Sequence, residues 1–167
     1  MRKHLEYDLL HELFEYKNGE LYWKVDRPHR FDKGKIAGHV TSNGYRTVKI
    51  NRIGYCVHKI VYIMTYGNCI EGFQIDHING ERSDNRFENL RLVTHVENCY
   101  NIKNVKGYSF HKHAKKYAAS INVNKKRINL GSYEKEEDAR NAYLNAKEKY
   151  HIIPDRKIDI TAINMYN

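Results

Sequence analysis

The chain has 167 residues, enough for one ordinary domain or two small ones, and its 29 Lys and Arg against 20 Asp and Glu leave a formal charge of +9. That excess suits a polyanionic partner and implies strongly salt-dependent affinity for it. No apolar run approaches the ~20 residues of a membrane span, and the amino terminus lacks a signal-peptide core, so a soluble cytoplasmic protein without a membrane partner is expected. Cys56, Cys69 and Cys99 are scattered and form no Cys-x-x-Cys pair, which speaks against a structural zinc site and for reduced, buried thiols.

Leu5, Leu9, Leu10, Leu13 and Phe14 recur at helical spacing and predict a helix over 4–16. Asn18-Gly19 then turns the chain into a strand over 20–25. Glycines at 34, 38 and 44 punctuate a meander of short strands over 36–40, 45–50 and 55–57. The apolar run from His58 to Tyr66, closed by Gly67, predicts a helix that ends on a glycine cap. This upstream block is expected to pack against the hairpin that follows.

Residues 75–98 hold the most constrained chemistry. Asp76 and His77 are adjacent, Asn89 follows 13 positions after Asp76, and Asn98 comes nine further on in a helix start. Asn79-Gly80 reads as a tight turn and Asn85 as a loop-stabilising amide. Alone, an Asp-His pair is more simply a turn acid beside a surface histidine; two asparagines in register weigh against that. The Asp-His pair, the glycine turn, Asn89-Leu90 and Glu97-Asn98 together resemble the HNH endonuclease motif, a β-hairpin and helix around one divalent cation.

The resemblance implies hydrolysis of a phosphodiester, which needs an activated water, charge relief on phosphorus and a stabilised leaving oxygen. Asp76 and Asn98 would offer oxygen donors to one magnesium or manganese ion and leave most of its shell to water and phosphate. His77 points to the other side of the strand, facing the attacking water as general base. Asn89 suits bridging backbone groups across the loop. His95 falls on the same side of the helix as Asn98, and either reaches the scissile phosphate or is an ordinary exposed histidine. Arg82 and Arg91 suit phosphate anchoring; Arg86 is either another anchor or solvated. His58 reaches either DNA or a satisfied core position.

After a polar stretch over 98–106, three strands are predicted at 107–112, 116–123 and 126–133, followed by a helix over 135–147. Ala139, Ala142, Tyr143 and Ala146 share one side of that helix, so it can lie close on a sheet. From Lys103 to Arg127 there are eight basic residues and no acid. Alternation puts Ser109, His111 and His113 in one outward row, Ser120 and Asn122 in a second, Arg127 and Asn129 in a third. Tyr108, Phe110, Ala119, Ile121, Ile128 and Leu130 then face the helix. The outward rows, with Lys106, Lys112, Lys115, Lys116 and Lys126 on phosphates, form an expected surface for double-stranded DNA. The β-β-β-α order and Leu130-Gly131-x-Tyr133 resemble the DNA-binding domain of plant ethylene-response factors over about 105–150. Ser109, His111, His113, Ser120, Asn122 and Asn129 stand where that family carries arginines and tryptophans, so its base preference does not carry over.

The expected class is α+β: an HNH nuclease domain over 1–100, a linker over 101–106, a DNA-binding domain over 107–150 and a tail over 151–167. By resemblance this is the organisation of free-standing homing-type enzymes of phages, leaving 5′ phosphate and 3′ hydroxyl ends, with a monomer nicking and a homodimer able to cut both strands. Two other readings stay open. One is a DNA-binding regulator on a non-catalytic HNH scaffold; the other is an RNA-directed or colicin-like toxin nuclease.

Overall fold

The computed structural model describes residues 6–28, 30–67, 71–154 and 156. They fall into two compact units, one holding residues up to Leu92 together with Arg156, the other Val93–Pro154. Each has its own apolar core.

The first unit opens with α1 (Tyr7–Leu13), then a hairpin of β1 (Phe14–Lys17) and β2 (Glu20–Trp23). The predicted helix over 4–16 therefore runs too far at its carboxyl end, and residues 4 and 5 lie outside the described residues. Turn chemistry explains the difference. Asn18 and Gly19 both take positive φ (47° and 88°), a two-residue turn that draws the flanking residues into paired strands. The register pairs Phe14 with Trp23, whose rings lie 4.6 Å apart in the core.

A three-stranded antiparallel sheet follows, in the order β3 (His39–Val40), β4 (Arg46–Ile50), β5 (Ile53–Cys56). Its strands differ from the expected bounds at several ends, β5 for instance starting at Ile53. Ile36 makes only an isolated bridge to Tyr22, and Val57 opens a helix instead of ending a strand. That helix, α2 (Val57–Tyr66), stops on Gly67 at φ 84°, as its sequence predicts. Val57, Ile60, Val61, Tyr62 and Ile63 are buried on it against Leu10, Phe14, Leu21 and Val48. At about 1.5–3 kcal/mol for each large apolar side chain buried, this helix is the main prop of the unit. Strands β6 (Gln74–His77) and β7 (Leu90–Val93) pair beside it, and a 12-residue loop with a 3₁₀ turn at Phe87–Asn89 joins them.

In the second unit a short helix, α3 (His95–Tyr100), precedes strands β8 (Tyr108–His111), β9 (Lys116–Val123) and β10 (Lys126–Tyr133) and the helix α4 (Glu136–Tyr150). The strands lie antiparallel in the order β10-β9-β8. Ala119, Ile121, Ala139, Tyr143 and Ala146 form the buried seam between sheet and α4. Gly107 sits against this seam at φ 79°, and a Cβ there would run into the Tyr143 ring. His151 stacks on Tyr100 at 3.9 Å and donates from Nε2 to the Asn122 carbonyl, which holds the residue after α4 against the sheet.

One packing assignment and one facing assignment need correction. Phe110 is exposed at 51% and lies against Tyr117 at the sheet edge instead of filling the core, because α4 covers the sheet around β9. His113 lies in the turn between β8 and β9, where strand alternation no longer applies. The thiols differ too: Cys56 is half-buried and Cys99 exposed, while Cys69 lies outside the described residues. No described helix is long and apolar enough to cross a membrane.

Candidate active site

Strand β6 delivers Asp76 and His77 side by side, and their sides of the strand differ because successive residues alternate. Both are buried, at 8% and 4% exposure. A buried carboxylate needs a counter-charge. Arg91, across on β7, supplies it by donating from Nε (3.1 Å) and Nη2 (2.9 Å) to one oxygen of Asp76. Arg91 is thus turned inward, not out toward a solvent-side phosphate.

His77 is held by Asn85, which is 1% exposed, across 3.3 Å from Nε2 to Oδ1. The amide orientation fixes the imidazole tautomer. Asn85 donates from Nδ2 to the Ser83 carbonyl at 3.1 Å, so its oxygen must face the ring and Nε2 of His77 must carry the proton. The lone pair then sits on Nδ1. Burial lowers the His77 pKa below its ordinary value, against the opposing pull of Asn85 and nearby carboxylates. At neutral pH the ring is an uncharged proton acceptor.

Two further rings complete this wall. His58, from the first turn of α2, lies edge-on to His77 at 5.0 Å. Tyr45, just before β4, lies 5.3 Å from His58 and 6.0 Å from His77. Burial, then the neighbouring His77 and Lys59, bring the His58 pKa down to about 4. Arg82 lays its guanidinium over Tyr45 at 5.0 Å and donates to the Asn43 carbonyl at 2.8 Å. Sequence reading left His58 between two roles, gave Asn85 only a generic one and had no signal for Tyr45. Their meeting at His77 depends on tertiary packing between α2, the segment before β4 and the β6-β7 hairpin.

Asn89 is a clamp, buried at 9% exposure. Its Oδ1 accepts from the Asn79 backbone N–H at 3.0 Å, while Nδ2 donates to Asn79 Oδ1 (3.0 Å) and to the Asp84 carbonyl (2.9 Å). Asp84 ties the same loop: it accepts from Asn79 Nδ2 and from the Arg86 guanidinium, whose bonds hold its carboxyl down to about 2. Arg86 is therefore a loop tie.

In the second unit, α3 begins with a capping box: Thr94 accepts from the Glu97 backbone and Glu97 from that of Thr94. His95 is exposed at the first turn, 3.9 Å from Cys99 Sγ, and Asn98 is half-buried on the same short helix. Asp76 and Asn98 belong to different compact units. Among the described residues, no three His, Cys, Asp or Glu side chains cluster as a metal cage.

The outer face of the sheet carries Ser109, His111, Lys116, Ser120, Asn122, Arg127 and Asn129, set by the β8-β9-β10 register. All but Ser120, which is half-buried, are exposed. Arg127 donates to Ser120 Oγ at 3.1 Å. Asn129 turns its oxygen to the Gly131 N–H at 3.0 Å, closing the irregularity in β10. Lys112 and Lys115 lie in the β8-β9 turn, Lys126 opens β10, and Lys106 precedes β8; each is exposed.

No match is found among curated proteins. Among solved structures, the chain is similar to one described as DNA binding and cleavage by the HNH homing endonuclease I-HmuI, at 25% identity and a TM-score of 0.43. That likeness covers 59% of this chain and spans 56% of the other. The stretch from Tyr55 to Tyr100, which contains α2, the β6-β7 hairpin and α3, matches the family model of the HNH endonucleases.

Proposed function

We propose that the chain is a metal-dependent DNA endonuclease of the homing type, hydrolysing phosphodiester bonds with His77 as general base. One observation carries the reading. Within the stretch that matches the HNH model, His77 is buried, uncharged, and held by Asn85 in the tautomer whose lone pair lies on Nδ1. An uncharged imidazole held in one orientation suits a general base.

The donor chemistry fits a hard cation. Asp76 offers carboxylate oxygens, and by motif spacing Asn98 adds an amide oxygen, two ligands that suit magnesium or manganese with the rest of the shell in water and phosphate. When bound, the cation would supply charge relief at phosphorus and at the leaving oxygen. His77 takes the proton of the attacking water, Asn85 fixes its ring, and Asn89 holds the loop that carries the hairpin. Arg91 holds one oxygen of Asp76 in place by two hydrogen bonds, and His95 stands as a candidate contact to the phosphate.

The region from about residue 105 onward acts in this reading as the DNA-positioning module. Lys106, Lys112, Lys115, Lys116, Lys126 and Arg127 hold phosphates, while Ser109, His111 and Asn122 face the base edges, with Arg82 an anchor near the cut. The exposed row opposite α4 supports this. Asn129 is committed to the β10 backbone, so its share in base contact is small.

Supercoiled DNA incubated with the protein and magnesium should be nicked or linearised, and EDTA should stop the reaction. The Arg91 contact on Asp76 favours the regulator reading to one degree, since a guanidinium already answers that charge. Intact plasmid at saturating protein and metal, with DNA still bound, would establish it.

A further inference from the structure

Between β2 and β3 the chain makes a loop, Arg27 to Lys35, that the nuclease chemistry does not use. The frame of its described residues, which leave out His29, is tightly pinned. The backbones of Arg27 and Arg30 exchange hydrogen bonds (3.1 and 2.9 Å), Gly34 donates to the Trp23 carbonyl at 2.8 Å, and Trp23 donates to that of Lys35 at 3.0 Å. Arg27 pairs with Asp32 at 2.7 Å and lies over the buried Trp23 ring at 4.2 Å. Asp26 accepts from the Lys33 backbone at 3.0 Å.

On this fixed frame Phe31 is 86% exposed, more than any other large apolar side chain among the described residues. The one acid within the loop, Asp32, is half-buried and paired with Arg27, while Asp26 just before it is exposed and accepts from the Lys33 N–H. What faces out beside Phe31 is cationic: Arg30, Lys33 and Lys35 are all exposed. A bare phenyl ring among cations, on a loop too well tied to fold it away, matches one partner chemistry best. Duplex DNA offers phosphates for the cations and a stacked base step that an apolar wedge can enter. A second copy of the chain would bring another +9 charge against this face. An acidic protein would satisfy the cations and leave the ring without a stack.

We infer that the Arg27–Lys35 loop is a second DNA-contact element, in which Phe31 wedges into a base step and Arg30, Lys33 and Lys35 hold the flanking phosphates. This rests on the reading of the protein as a DNA endonuclease. It adds a site of deformation within the first unit, apart from the sheet of the second.

The test uses the full chain with Phe31→Ala, Phe31→Trp and the double variant Lys33→Ser/Lys35→Ser, on a duplex fragment that the wild type cleaves, in EDTA to hold the complex. Bending is read by energy transfer between dyes at the duplex ends, and affinity by titration across salt. Phe31→Ala should bind on the order of tenfold more weakly and lose the bend, with an unchanged melting temperature, while Phe31→Trp retains it. The double lysine variant should lower the log-affinity versus log-salt slope by about 1.8, at ~0.9 per phosphate contact. Wild-type affinity and bend in Phe31→Ala overturn the wedge while leaving the nuclease reading intact. Loss of self-association in Phe31→Ala with DNA binding unchanged also overturns it, assigning the ring to a copy of the chain. A wild type that neither binds nor cuts any duplex removes the underlying reading, and the wedge with it.

Discussion

At the scale of single residues, His77 and Asn85 form the pair on which the proposed chemistry turns. Asn85→Ala removes the acceptor that fixes the His77 tautomer, leaving a buried ring N–H unpaired at a cost of roughly 1–3 kcal/mol. We expect a lower melting temperature and slower cleavage, with KM for DNA nearly unchanged; ¹⁵N shifts of the His77 ring should show both tautomers populated. A purely structural Asn85 would lower stability and leave the ring shifts as they are. Asn89 belongs to the loop instead: its amide joins the Asn79 and Asp84 backbones. Asn89→Ala should lower stability and activity together, whereas Asp76→Ala should recover part of its activity at high manganese. Unchanged melting of Asn89→Ala with lost metal affinity would exchange those two roles.

At the scale of elements, the β6-β7 loop is a charged tie that titrates. The Arg86 guanidinium holds the Asp84 pKa down from 3.8 to about 2, so the pairing stabilises the fold fully above the unfolded value and is lost as pH falls through about 2. Asp84→Asn should therefore melt lower than wild type at pH 7, with the gap closing between pH 4 and pH 2; a gap constant across that range would contradict the tie. In the second unit the close approach is Gly107 to Tyr143. Gly107→Ala puts a side chain into the ring and into a left-handed backbone, and should cost at least the ~1–3 kcal/mol typical of overpacking, read by thermal unfolding. These elements also show what a sequence can and cannot disclose. β9, β10 and the glycine stop of α2 were legible because alternation and a φ-permissive residue are local signals. The overlong first helix shows a local turn overriding helical spacing at Phe14. The sequence motif brought Asp76, His77 and Asn89 forward as candidates because their spacing is local, but the Tyr45-His58-His77 wall was not legible, since it is assembled by tertiary packing.

At the scale of the molecule, the basic character is concentrated on surfaces. The sheet rows around Lys116 and Arg127 in one unit and the loop at Arg30 to Lys35 in the other are both exposed. Replacing Lys116, Lys126 and Arg127 by serine should reduce the salt slope of DNA affinity by about 2.7, at ~0.9 per contact, and relax site preference while sparing the cleavage step. A full slope and full preference would dismiss the sheet as the targeting surface. The central claim is that His77 takes the proton of the attacking water. It is tested most directly by single-turnover cleavage of a bound duplex in saturating magnesium, comparing wild type with His77→Ala. A loss of ~100- to 10,000-fold in rate, at matched DNA affinity and melting temperature, is the result this account predicts; a folded, DNA-bound variant that cuts within tenfold of wild type would contradict it.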